Sequence, residues 1–422
     1  MRLLWVKSGG LVPPDTGGKI RSLNLLRELA RRHDVSLFTF YGAQSDDTHQ
    51  ELEQFLSKVY CVPIGLPAKR GAGEAFGYAR NLLSLQPYSV AKYCKPSVAK
   101  GLLEVLRREK FDAIICDFLF SSGVIPWDWP CPKILFTHNV EEQIWRRHFA
   151  VTRNLVWKAV CWREYKTLSF AERRYLGLAD HVLTVSDKDL EYFSAYVPRE
   201  KMTVIPTGVD TGYFQPAIGS SDSHTMVFTG SMDWMPNEDA IFYFAERILP
   251  LIRKELPQAQ LRVVGRRPSD RLQSLARESS GLVVTGEVPD IRPHVLDSSV
   301  YVVPLRIGGG TRIKIFEAMA MGKAVVSTRI GAEGLPVTDG ENIVLADEPQ
   351  DFADAILRLF RDEPARDQTG AAARKLVEEH YSWRTVVRVF DEVLERIAQT
   401  TRYPSAQQTP APKPRCDAPV NS

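Results

Sequence analysis

The chain has 422 residues, 44% of them hydrophobic and 25% charged, a composition that supports two or three globular units and excludes a chain disordered throughout. Fifty-four basic residues against 51 acidic ones leave a net charge of only +3, which argues against a nucleic-acid partner held by bulk electrostatics. Six widely spaced cysteines without a C-x-x-C pair, and a Met1–Lys7 run too short for a leader or a spanning helix, exclude a zinc or disulfide framework and point to a cytoplasmic protein.

Along the chain, short β-branched runs alternate with stretches of helical period, the α/β pattern of parallel sheets covered by helices. Leu3–Val6 reads as the first strand and leads through Gly9-Gly10 to Gly17-Gly18-Lys19, after which Ile20, Leu23, Leu26 and Ala30 mark a helix. Adjacent glycines at a helix start let a ligand approach the backbone, and the free N–H groups favour an anion. Plain turn residues are an equally good reading of glycines after a strand. Lys19 and Arg21 read as a solvated first turn. Further strands are expected at Val35–Phe40, Ala113–Cys116, Ile134–Thr137 and Val182–Val185. His138 follows Ile134–Thr137, at the carboxyl edge where open sheets bind ligands. A lone histidine is otherwise more often a satisfied structural residue.

From Trp145 to Tyr175 eight basic residues face two acidic ones, a local balance of +6, with Trp145, Trp157, Trp162 and Tyr165 interleaved. Such a segment suits peripheral contact with an anionic membrane and a lipid-linked acceptor, or equally a solvated helix face with core aromatics. Asp187 and Asp189, behind Ser186, read as first-turn charges of a capped helix and not as metal ligands. Pro, Gly and Ser between Ile205 and Ser223 mark a linker.

The second half repeats the strand pattern at Met226–Thr229, Leu261–Val264, Leu282–Thr285, Val300–Pro304 and Ala324–Ser327. A buried strand then runs into Gly308-Gly309-Gly310-Thr311-Arg312 and a helix that carries Lys314 and Glu317. Backbone amides with Arg312 and Lys314 suit a pyrophosphate, and Glu317 suits ribose hydroxyls. Trp383 to Ile397 has one apolar helical stripe. Residues 401–422, rich in Pro, Gln and Ser, are expected to be disordered.

Five segments in order, Gly17-Gly18, Thr137-His138-Asn139, Ile205-Pro206-Thr207-Gly208-Val209-Asp210, Thr229-Gly230-Ser231-Met232-Asp233-Trp234 and the glycine-rich stretch through Glu317, resemble the retaining glycosyltransferases of family 4. The resemblance runs from residue 1 to about residue 400 and implies the GT-B fold, two Rossmann-like parallel-sheet domains facing across a cleft. The expected division is an acceptor-side domain at 1–205, a nucleotide-sugar-binding domain at 206–382, a helix at 383–400 packing back on the first domain, and the tail. The resemblance also implies that Gly17 and Gly18 cover the donor phosphates, that His138 faces the donor sugar and that Glu317 binds the ribose. Gly230, Gly309, Gly310 and Thr311 are the further donor-binding positions, and no metal or other cofactor is expected.

Two departures shape the expected chemistry. Gly309 stands where the family has its first glutamate, and Ser231-Met232-Asp233 stands where it has an arginine and a lysine. Arg312 and Lys314 are therefore expected to neutralise the phosphates. The implied activity is sugar transfer with retention from a nucleotide-sugar to a saccharide or lipid-linked acceptor, in cell-surface polysaccharide or glycolipid synthesis. A nucleotide-sugar 2-epimerase and a non-catalytic nucleotide-sugar-binding protein are the alternatives.

Overall fold

The computed structural model describes residues 1–14, 16–41, 47–67, 71–152, 154–216, 222–307 and 313–400. The chain divides into two compact α/β units, Met1–Pro206 together with the stretch from Val387, and Thr207–Val386.

The first unit holds seven strands, β1 (Arg2–Ser8), β2 (Asp34–Tyr41), β3 (Lys58–Pro63), β4 (Ala113–Asp117), β5 (Lys133–Phe136), β6 (His181–Thr184) and β7 (Met202–Val204). They lie in the order β3-β2-β1-β4-β5-β6-β7, and every pairing is parallel. Leu3 sits between Val35 and Ala113 and fixes the register of the centre. The apolar runs Leu3–Val6 and Ala113–Cys116 are buried completely, as a sheet covered on both faces requires. Two strands lie beyond the expected five. β3 is a half-exposed edge strand that mixes Lys58 and Tyr60 with valines, and β7 is too short to show a period.

The helix Gly17–Leu29 follows β1, with Thr16 as N-cap. The basic segment forms two helices, Glu141–Val151 and Leu155–Leu178, the second capped by Asn154, whose side chain accepts from Trp157 N at 2.9 Å. Glu172 accepts the backbone N–H groups of Glu141 at 2.7 Å and Glu142 at 3.4 Å, so a carboxyl from one helix closes the amino end of the other. The terminal helix spans Trp383–Thr400. In the first unit its Phe390 stacks on Trp5 at 5.9 Å, and His33 Nε2 meets Asp391 at 2.9 Å.

The second unit holds β8 (Asp222–Thr229), β9 (Gln260–Val264), β10 (Leu282–Gly286), β11 (Ser298–Val303), β12 (Ala324–Ser327) and β13 (Val344–Leu345), in the order β10-β9-β8-β11-β12-β13. Its winding repeats that of the first sheet. The order turns at β1 in one unit and at β8 in the other, and the crevice beyond the carboxyl end of such a strand is where doubly wound sheets bind ligands. The expected disordered tail lies outside the described residues.

Candidate functional site

In the first unit, the carboxyl ends of β1, β4 and β5 converge on Asp117. This residue closes β4 and is wholly buried. Its Oδ2 accepts from Trp5 Nε1 at 2.8 Å and from Lys7 Nζ at 3.0 Å, and Lys7 also donates to Ser22 Oγ at 3.1 Å on the Gly17–Leu29 helix. Burial alone would raise the Asp117 carboxyl, but Lys7 and His138 outweigh it and hold the group well below the usual carboxylate range.

Asp117 Oδ1 lies 2.8 Å from His138 Nε2. Burial draws His138 down to about 4, against the upward pull of Asp117, so the ring is neutral near pH 7. An ionised carboxylate this close favours the hydrogen on Nε2, which leaves Nδ1 as an acceptor. Nδ1 sits 3.2 Å from the point where a Cβ on Gly18 would lie. The structure thus brings His138 and the Gly17-Gly18 helix start together. The Phe118 and Phe136 rings pack on the imidazole at 5.2 and 4.7 Å.

Arg21 corrects the sequence reading. It is buried rather than solvated, because the helix packs this turn onto the sheet. Burial lowers its guanidinium to about 10, and Asp117 and Asp189 partly offset that. Lys19 stays outside and donates to Pro13 O at 3.2 Å. Ser186 caps the helix Asp187–Phe193 by accepting from Asp189 N at 3.1 Å.

In the second unit, Gly230 follows β8 at φ 154°. Asn237 Nδ2 and Lys314 Nζ each lie 2.7 Å from where its Cβ would be. Lys314 donates to Asn237 Oδ1 at 2.9 Å and covers the Phe228 ring at 4.0 Å, while Asn237 donates to Ser231 O at 2.8 Å. Glu317 lies on the same helix, Ile313–Ala320. Burial raises its carboxyl to about 7, with Lys314 opposing. The Thr229 and Tyr301 hydroxyls pair at 2.5 Å, and burial, with the Glu317 charge adding to it, raises Tyr301. Gly309, Gly310, Thr311 and Arg312 lie outside the described residues.

Two cations were not anticipated from sequence. Arg266 and Arg267 follow β9, and Gly265 before them presses against Gly230 O, so the loops after β8 and β9 run side by side. Arg266 Nε donates to Ser231 Oγ at 3.0 Å, and Arg267 pairs with Asp233 at 2.9 Å. Two arginines from the neighbouring strand's loop thus lie against the loop after β8. Val264-Gly265-Arg266-Arg267 carries the signal, a buried strand, a glycine and two bases. Asp117, Lys7 and Trp5 were also missed, although an acid that closes an apolar strand is a usable sign. Chemically, the second unit offers cations and a carboxylate at one strand end, suited to a diphosphate and a sugar hydroxyl. The first offers a neutral acceptor beside a glycine helix start.

Comparison with known proteins assigns the chain. Residues 16–213 match the model described as Glycosyltransferase Family 4, and residues 223–362 match that described as Glycosyl transferases group 1. A 44.6 kDa protein of the Klebsiella pneumoniae cps region is 22% identical over 391 residues, 89% of this chain and 95% of that protein. The phosphatidyl-myo-inositol mannosyltransferase of Mycobacterium tuberculosis is 29% identical over 207 residues, 46% of this chain and 54% of that enzyme, so the chain spans about half its length. Among solved structures, sucrose-phosphate synthase from Thermosynechococcus elongatus superposes with a TM-score of 0.68 at 17% identity, covering 95% of this chain and 100% of that one. HepE of Anabaena in complex with UDP gives 0.64 at 15% identity, covering 94% and 100%. The two doubly wound parallel sheets, the two family models and these likenesses together place the chain in glycosyltransferase family 4, with the GT-B fold.

Proposed function

We propose that the chain moves a hexosyl group from a nucleotide-sugar to a saccharide or lipid-linked acceptor with retention of anomeric configuration, in the synthesis of a cell-surface polysaccharide or glycolipid. The observation that carries this reading is the cluster at the end of β8, where Lys314 reaches over Gly230 and Glu317 follows on the same helix. Two relatives support the same reading, one a phosphatidyl-myo-inositol mannosyltransferase and one a protein of a cps region. HepE, whose fold the chain shares, holds UDP.

In this reading Lys314, with Arg312, meets the charge that builds on the departing diphosphate, and Gly230, Gly309, Gly310 and Thr311 let its oxygens approach the backbone. Glu317 accepts from the ribose hydroxyls. Gly17 and Gly18 offer helix-start amides to the donor phosphates, and His138 Nδ1 accepts from a hydroxyl of the donor sugar. His138 acts by positioning, since a ring held near 4 is a weak base. The transition state resembles an oxocarbenium ion, and the departing phosphate takes the acceptor's proton, so the reaction requires neither a side-chain nucleophile nor a metal.

The test is to incubate the purified chain with nucleotide-sugars and saccharide or polyprenyl-phosphate-sugar acceptors and to read the product by NMR. Acceptor-dependent release of nucleoside diphosphate with a retained anomeric centre is expected. An inverted product, or turnover of the donor without acceptor, would overturn the reading.

A further inference from the structure

The first unit carries an apolar surface that its own fold leaves uncovered. The helix Ala72–Arg80 has no buried residue. Phe76 on it and Leu82, Leu83 and Leu85 just after it are exposed, Leu83 completely at 101%. This stretch is fixed beside the Leu155–Leu178 helix, because Arg163 donates to Ser84 O at 2.9 Å and also to Asn81 O, and Tyr78 OH donates to Val160 O at 3.4 Å.

Along that helix the outward positions, at steps of three and four, are Leu155, Ala159, Trp162, Lys166, Phe170 and Arg173. Large apolar and basic side chains thus share one stripe. The two acidic residues of the helix face the other way. Glu164 and Glu172 are each 2% exposed, the first accepting Tyr88 N at 3.0 Å and the second the amides of the preceding helix. The helix therefore presents only positive charge outward.

An exposed apolar patch of this extent marks an interaction surface. Aromatic and leucine side chains interleaved with Lys and Arg suit the headgroup boundary of an anionic bilayer, with the rings among the acyl ends and the bases at the phosphates. We propose that the stretch from Ala72 to Leu85 and the outer stripe of the Leu155–Leu178 helix together seat the protein on an anionic lipid membrane. The proposal is independent of the nucleotide reading, because none of these residues belongs to either strand-end site.

The test is co-sedimentation of the full chain with vesicles of phosphatidylglycerol or of phosphatidylcholine, at low and high salt. Binding to the phosphatidylglycerol vesicles that weakens as salt rises is expected. The pair Lys166→Glu and Arg173→Glu, and separately the pair Leu83→Ser and Leu85→Ser, should each lower partitioning at least about tenfold with unchanged melting temperature. All four positions are exposed, so these variants should fold. Equal binding to both vesicle types, no binding, or light scattering that shows a dimer dissolved by Leu83→Ser without vesicle binding would each overturn the proposal.

Discussion

At the scale of single residues, burial sets the charge states that the site uses. His138 stands at about 4 in the folded chain, against about 6.5 in an open one. Between those values the unfolded chain takes up a proton that the folded chain refuses, so stability is lost as pH falls from about 6.5 toward 4. His181, also lowered to about 4 by burial, acts in the same direction. Glu141 and Glu172 act oppositely. Burial raises them to about 7 and about 8, and their contribution is lost as pH rises through those values. His138→Gln should therefore lessen the acid-side loss by about 3 kcal/mol and leave the alkaline side unchanged. Urea midpoints from about pH 4.5 to 8 check this, and an unchanged acid limb would refute it. Glu317 makes a separate prediction. Burial holds its carboxyl near 7, and in the proposed role the ionised form is the stronger acceptor for ribose hydroxyls. Nucleoside diphosphate affinity should then rise roughly tenfold from about pH 6 to 8 in the wild type. In Glu317→Gln, titration calorimetry should find that Glu317-dependent rise gone.

At the scale of elements, the close approach of the loops after β8 and β9 makes the sharpest demand on sequence. A Cβ on Gly265 would lie 1.8 Å from Gly230 O, a backbone atom that cannot yield cheaply. Gly265→Ala should cost on the order of 3 kcal/mol or more. Gly177→Ala should instead stabilise by about 0.5–1 kcal/mol, because this glycine is exposed on the Leu155–Leu178 helix with nothing within 4 Å. Thermal melts of the two variants check the contrast. The same elements show what the sequence discloses. β1, β4 and β11 are built on buried apolar runs and can be read directly, whereas β3, β7 and β13 carry too little pattern, being a half-exposed edge strand, three residues and two residues. His138 was legible by its place after a strand. Its partner Asp117 was not, because Lys7 and Trp5, which make it a site, lie more than a hundred residues away. Arg21 was misread because a first helical turn looks solvated until the helix is laid on its sheet.

At the scale of the molecule, two sheets of the same winding carry different chemistry at the same topological position. The first unit has a neutral imidazole oriented by a buried carboxylate. The second gathers Lys314, Arg266 and Arg267 around a glycine turn, with Glu317 beside them. The central claim is that this second strand end binds a nucleoside diphosphate. Titration calorimetry of uridine and guanosine diphosphates against the wild type, Lys314→Met and Glu317→Gln, at pH near 8, tests it most directly. One diphosphate should bind the wild type, with at least about tenfold weaker binding in each variant, and Glu317→Gln should melt no lower than the wild type at this pH, because it removes a buried charge. Failure of both diphosphates to bind the wild type, or equal affinity in all three proteins, would contradict the claim.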